Sequence, residues 1–196
     1  MINALKKFLI IVMAFLIYLS PSDIGAINIP GIEKESSVTY KLHHKFHDVA
    51  ATSKLIKCII DYDPVKERIN RVTAVADVTT FDSGNGNLDS HAMEVVEALK
   101  YPKVTFKSTS ITESENNTLN VRGILTFHGV SKEIFFKANK IRKGNTMEVY
   151  GNFPLSLDEF KVKRPSLMFV KLDDKMEMSF HCTFEVSSNN LGLAKK

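Results

Sequence analysis

Cysteine is scarce in this sequence: among 196 residues only Cys58 and Cys182 carry thiols. Neither belongs to a C-x-x-C pair or to a Cys-His nucleophile motif, so redox-enzyme and thiol-nucleophile chemistry find no support. No cysteine follows the N-terminal apolar run, which argues against a lipoprotein anchor. That run, Phe8 to Leu19, is about a dozen residues where a bilayer core needs about 20, so it is too short to span a membrane. Arginine-rich helices and mixed basic and aromatic motifs are missing too, and no nucleic-acid partner is expected. Long helical segments are scarce, which excludes a parallel sheet with helical crossovers.

What is present begins with Lys6 and Lys7, the apolar run, then Ser20, Pro21, Ser22 and a small-residue site at Gly25-Ala26. This reads as a secretory signal peptide over 1–26, cut after Ala26. Ser20 and Ser22 are rival cleavage sites because Ile24 is large for the minus-three position. The remainder, 27–196, has the length of one domain, and its expected location is the periplasm or the medium. The formal charge of +4 changes little when Lys6, Lys7 and Asp23 are removed. Such a mild basic surface leaves transient contact with anionic lipid headgroups open. Homodimer formation is equally open.

From Ser36 onward apolar residues recur with period two, the signature of half-buried strands. Val38, Tyr40 and Leu42 share a face. Ile56, Cys58, Ile60 and Tyr62 form a second set, and Val72, Ala74, Ala76 and Val78 a third. Val104 and Phe106 follow, then Leu119, Val121, Gly123, Leu125 and Phe127. Beyond the turn at His128-Gly129 come Ile134, Phe136 and Ala138, then Met147, Val149, Gly151, Phe153, Leu155 and Leu157. Met176, Met178, Phe180, Cys182, Phe184 and Val186 form the last set. The fold expected is all-β, an antiparallel barrel of about eight strands, a size that can enclose one small ligand.

One stretch breaks the pattern. Between Phe81 and Phe106 a turn cluster, Asp82-Ser83-Gly84-Asn85-Gly86-Asn87, leads into a short helix between the third and fourth strands. Asp89 or Ser90 is its expected N-cap, Ala92, Val95, Val96 and Leu99 its apolar face, and Pro102 ends it. The helix is expected to act as a plug or lid.

The inward sets nominate a lumen: Val38, Tyr40, Leu42, Ile60, Ala74, Ala76, Phe106, Gly123, Leu125, Phe127, Phe136, Gly151, Phe153, Met178 and Phe180. Five small residues there, Ala74, Ala76, Gly123, Ala138 and Gly151, withdraw volume, although glycines also mark strand bends. Asp158, Glu159, Lys161, Lys163 and Arg164, followed by Pro165 to Val170, read either as a charged rim over an apolar lip or as a solvated loop.

Histidines offer a competing reading. His43, His44 and His47 lie close enough for a metal-dependent enzyme, with Asp89 and His91 as further groups. Against it, His43 and His44 face opposite ways on a strand, and no carboxylate pair or cysteine completes a site. No metal and no cofactor are expected. Cys58 and Cys182 fall on the second and last strands, which need not be neighbours in a meander. They read as small buried apolar residues, with their pairing undecided.

FDSGN at 81–85, Asp89-Ser90-His91, the YPKVTFKS run and VRGILTFHGVSKEI at 121–134 resemble the YceI family of lipid-binding proteins, and weaker similarity extends from Ser36 to Phe184. Leu88 stands where that family usually has an arginine. The resemblance implies a lipocalin-like barrel whose lumen holds a polyisoprenoid, a quinone tail or another lipid, in an exported, non-enzymatic carrier or scavenger.

Overall fold

Period-two alternation keeps most of the chain extended, and the computed structural model, which describes residues 25–44, 47–114, 116–167 and 170–186, pairs these segments into antiparallel ladders. The expected signal peptide lies outside the described residues except for its last two. The strands are β1 (Ile27–Pro30), β2 (Ser37–His44), β3 (His47–Ser53), β4 (Lys57–Asp63), β5 (Arg68–Asp77), β6 (Lys103–Glu113), β7 (Thr118–Phe127), β8 (Val130–Lys143), β9 (Thr146–Ser156) and β12 (Lys175–Glu185). These form one ten-stranded sheet in the order β1-β4-β5-β6-β7-β8-β9-β12-β2-β3. A separate small ribbon joins β10 (Ser166–Leu167) to β11 (Val170–Lys171).

The expected all-β antiparallel barrel is therefore present, with ten strands instead of about eight. The two additions are β1 and β3. β1 has four residues, too few to establish a period. β3 reads HDVAATS, whose inward positions Val49, Ala51 and Ser53 are mostly small, so no large apolar alternation announces it.

The sheet curls until its ends meet neighbouring strands at two short junctions. At one, Gly31 and Ile32 follow β1 and bridge β4 to β12: Gly31 N donates to Cys58 O at 2.8 Å and Ile32 N to Thr183 O at 2.7 Å. At the other, Thr52 of β3 exchanges backbone hydrogen bonds of 3.0 and 3.1 Å with Asp82. Pleat geometry sends alternate side chains inward. Ile60, Ile69, Leu119, Met147, Phe160 and Phe184 are the large side chains most completely sealed.

Two shifts of register add twist, one at Asp61/Tyr62 on β4 and one at Ser108/Ser110 on β6. At the second, the Ser108 hydroxyl takes the Val72 N–H at 2.8 Å, replacing a lost ladder bond. Polar side chains gather where β8 ends. Arg142 donates to the Tyr62 hydroxyl at 3.0 Å and to Glu67 at 3.1 Å, and Lys140 pairs with Glu113.

Helix α1 spans Gly86–Val95 and begins earlier than expected. Its N-cap is Asn85, whose side-chain oxygen accepts from Asn87 N and Leu88 N at 3.1 and 3.3 Å, not Asp89 or Ser90. Asp89 belongs to the first turn, and its carboxylate reaches back to accept from Ser83 N at 3.0 Å. The far end differs as well. Glu97 adopts φ +48°, which turns the chain, so Ala98 is buried and Leu99 is fully exposed instead of completing the apolar face.

Candidate functional site

Curling the sheet leaves an apolar interior in two adjoining chambers. The outer one, about 320 Å³, lies under α1 and is walled by Tyr40, Leu42, Val49, Leu88, Ala92, Val95, Phe127 and Met176 among others. A deeper one, about 120 Å³, is walled by Val38, Ile60, Val72, Ala74, Ala76, Phe106, Phe136, Phe180 and Cys182 among others. Val104, Leu125, Phe153 and Met178 border both. These four mark the boundary between the chambers, the neck of the lumen.

The sequence-nominated positions divide between the two. Tyr40, Leu42 and Phe127 lie on the outer wall; Val38, Ile60, Ala74, Ala76, Phe106, Phe136 and Phe180 lie on the inner wall; Leu125, Phe153 and Met178 stand at the neck. Gly123 and Gly151 line neither chamber, a correction to the lumen expected at those positions. A Cβ at Gly123 would stand 2.5 Å from both Phe106 Cζ and Lys107 O. One at Gly151 would stand 2.8 Å from Lys137 O and 3.1 Å from Phe180 Cζ. The space the glycines release is already filled by aromatic rings from neighbouring strands.

Those rings belong to a cluster centred on Phe136, whose centroid lies 5.5 Å from Phe106, 5.0 Å from Phe153 and 5.6 Å from Phe180. Offset and edge contacts of this kind are favoured by the rings' quadrupoles and add about 0.5–1.5 kcal/mol each to burial. The cluster forms one wall of the inner chamber.

Sequence reasoning missed several outer-wall residues. Phe81 and Leu172 come from connections between elements and Leu88 from the first turn of α1, where no strand period exists to reveal an inward face. Pro165 and Ser166 border the chamber, whereas none of the charged residues Asp158, Glu159, Lys161, Lys163 and Arg164 lines it. Arg164 holds the loop before them through paired bonds of 2.8 and 2.7 Å to Asp158 and another of 2.7 Å to Leu172 O, so these two charges are matched.

Polar groups are few and sit near α1. Tyr40, Asp89, His91 and Ser166 face the outer chamber, and no lysine or arginine lines either one among the described residues. Burial pushes the Tyr40 phenol above its ordinary value, and the Asp89 charge pushes it the same way. His91 leans toward Glu94 at 3.7 Å.

His43, the one histidine of the proposed cluster whose side chain is described, lies away from the chambers. His43 Nδ1 meets Asp48 Oδ1 at 2.5 Å on the β2–β3 hairpin, where Lys41 also pairs with Asp48 at 3.2 Å. That exposed group lowers the Asp48 carboxyl, through His43 first and then Lys41. The side chains of His44 and His47 lie outside the described residues. Among the described residues, no group of three or more histidines, cysteines and carboxylates is placed to hold a metal.

Comparison with known proteins agrees with this architecture. A UPF0312 protein of Vibrio parahaemolyticus is 38% identical over 78 residues, covering 39% of this chain and 41% of its own. A UPF0312 protein of Vibrio cholerae is 30% identical over 112 residues, covering 56% and 59%. The matched stretches thus span between two fifths and three fifths of those relatives' lengths. BcnA of Burkholderia cenocepacia superposes with a TM-score of 0.70 at 21% identity, covering 78% of this chain and 98% of its own. A polyisoprenoid binding domain from Saccharophagus degradans superposes at 0.67 and 12%, covering 83% and 99%. At such identities the likeness is one of fold. Residues 32–184, most of the chain, match the YceI-like domain, and the chain belongs to that family.

Proposed function

We propose that this protein is an exported, non-enzymatic carrier or scavenger that holds one long apolar ligand, a polyisoprenoid, quinone-like molecule or other lipid, in its lumen. The observation that carries the proposal is the pair of adjoining chambers, walled almost wholly by apolar side chains and sharing Val104, Leu125, Phe153 and Met178. A chain threading the neck would leave water along its whole length. At about 0.8 kcal/mol per methylene buried, a tail of some ten to twenty carbons supplies ample driving force after ordering costs. The polyisoprenoid binding domain from Saccharophagus degradans, which shares the fold, supports this ligand class.

Native mass spectrometry of the protein purified without detergent is the direct test. The expected spectrum contains a complex heavier than the chain, and solvent extraction releases the extra mass as an apolar molecule. A ligand-free chain that also fails to take up added geranylgeraniol or a prenylquinone would refute the proposal; stoichiometric metal in its place would favour the metal-dependent alternative. The N-terminus of the exported form is expected near Ile27, which sequencing of the secreted or periplasmic protein would check.

The outer chamber's polar groups bear on the ligand's head. Asp89 and Tyr40 face it with no lining lysine or arginine among the described residues, and Leu88, where the resembling family usually has arginine, extends the apolar wall. Neutral, hydroxyl-bearing heads suit this mouth. A carboxylate or phosphate there would meet Asp89 with no lysine or arginine in the lining to offset it. Competition of a fluorescent polyene by matched C16 ligands should therefore show the alcohol binding about tenfold more tightly than the fatty acid near neutral pH. Equal affinities would place the head outside the chamber.

A further inference from the structure

Helix α1 is weakly built and weakly seated. Among its first five residues Gly86, Asn87, Asp89 and Ser90 are poor helix formers, and a helix of ten residues owes most of its stability to packing. That packing is thin. None of its residues is buried. Leu88, Ala92 and Val95, with Val96 just after, are half-buried and border the outer chamber. Of these only Val95 and Val96, at the far end, pack against the hydrophobic core. Leu88 and Ala92 therefore lie over open space.

The chain on either side is pinned. Before α1, Thr52 and Asp82 exchange their backbone bonds, and the Ser53 and Thr80 hydroxyls meet at 2.6 Å. After it, Ala98 is buried, Pro102 O accepts from Val78 N at 2.9 Å, and the Tyr101 ring stands 4.8 Å from His128. Between each pin and the helix stands a residue of positive φ, Gly84 at +79° and Glu97 at +48°. Bonds across the first of these are local, such as Ser83 N to the Asp89 carboxylate at 3.0 Å. β3 adds no hold of its own. Residues two apart in an antiparallel ladder turn their N–H and C=O groups to the same side, so Asp48 and Ala50 present theirs on the edge that Thr52 uses. Among the described residues no backbone bond joins that edge to α1.

We propose that α1 is a lid seated by the ligand itself: it turns on Gly84 and Glu97, lifts to admit an apolar chain, and closes when that chain fills the space beneath Leu88 and Ala92. The inference rests on the reading of the lumen as a lipid site. Both pins lie outside the two hinges, so the motion breaks no ladder of the sheet. A bound chain gives Leu88 and Ala92 the packing they lack, which stabilises the closed lid and the helix together. Coupling of this kind is reciprocal. Whatever loosens α1 must therefore speed the ligand's release.

The test is hydrogen exchange of the full chain with and without geranylgeraniol, read by mass spectrometry of its peptides. Without ligand, amides over 86–96 are expected to exchange about a hundredfold faster than those of β7 and β8, and geranylgeraniol should slow 86–96 about tenfold while leaving both strands nearly unchanged. Ser90→Pro gives a second measurement, because Ser90 is exposed, lines neither chamber and lies where proline removes a helical bond. Displacement of a bound fluorescent polyene by excess geranylgeraniol, followed by stopped flow, should be about tenfold faster in this variant. Its ligand-free melting temperature should stay within about 3 °C of the wild type. A larger fall, or a variant that does not fold, would make α1 part of the cooperative core and overturn the lid. Uptake of ligand with exchange over 86–96 already slow, or unchanged on binding, would overturn the lid alone. No uptake of either probe would overturn the lumen reading and the lid with it.

Discussion

Gly123→Ala is expected to lower the melting temperature by about 5–10 °C, and Gly123→Leu to abolish folding. The added Cβ would lie 2.5 Å from Lys107 O, which belongs to the backbone of β6, and 2.5 Å from the Phe106 ring. A ring can move, but the backbone oxygen is held by the β6–β7 ladder, in which Lys107 pairs with Ile124 and Ser108 with Gly123. Overpacking at a site that cannot yield costs roughly 1–3 kcal/mol for a small addition and more for a larger one. In a domain of this size each kcal/mol moves the midpoint by about 2–4 °C. Gly86→Ala is the matched control, because nothing lies within 4 Å of the Cβ it would add. Phe106→Leu should recover part of the loss in Gly123→Ala but not all of it, since the clash with Lys107 O remains. Thermal melting of the four ligand-free proteins measures each effect. An unperturbed Gly123→Leu would mean that β6 and β7 can separate locally without cost.

The largest effect on binding is expected from Ala74→Phe. Ala74 sits on the wall of the inner chamber, paired with Cys58 on one side and Phe106 on the other. A phenyl ring there would occupy much of a space of about 120 Å³. A long ligand would then have to withdraw its tail past the neck. Displacing four methylenes at about 0.8 kcal/mol each costs roughly 3 kcal/mol, on the order of a hundredfold in Kd. A ligand short enough for the outer chamber should bind as before, because the new ring never meets it. Fluorescence titration with prenyl alcohols of increasing length would reveal this as an affinity that stops rising with chain length. Equal losses for short and long alcohols would mean that the chambers do not act as one channel. The melting temperature serves as the check on folding, and a ring entering a void should leave it nearly unchanged.

Much of the fold was legible because a strand's side-chain period is local. Cys58, Ile60 and Tyr62 are buried between exposed Lys57 and Ile59, as the alternation required. On β7, Leu119, Val121, Leu125 and Phe127 are buried in the same way. Failures came where no period could form. β1 is too short and β3 too rich in small residues, while Asn85 caps α1 from inside a turn cluster that held several candidate caps. Leu99 matched the helical spacing, but the positive φ of Glu97 ended the helix first and turned its side chain out.

By itself the sequence determined the all-β class, the face each long strand turns inward and the presence of a helix between β5 and β6, because all three follow from residues close together in the chain. Tertiary structure alone decided how the inward faces meet. Whether Gly123 offers space to a ligand or to Phe106 depends on the diagonal neighbour across a ladder. Whether β4 and β12 close the curl depends on Gly31 and Ile32 standing between them and bonding to both, to Cys58 O and to Thr183 O. Division of the lumen at Val104, Leu125, Phe153 and Met178 depends on four strands at once. Register and curvature set these distances, and neither is written in the alternation of any single strand.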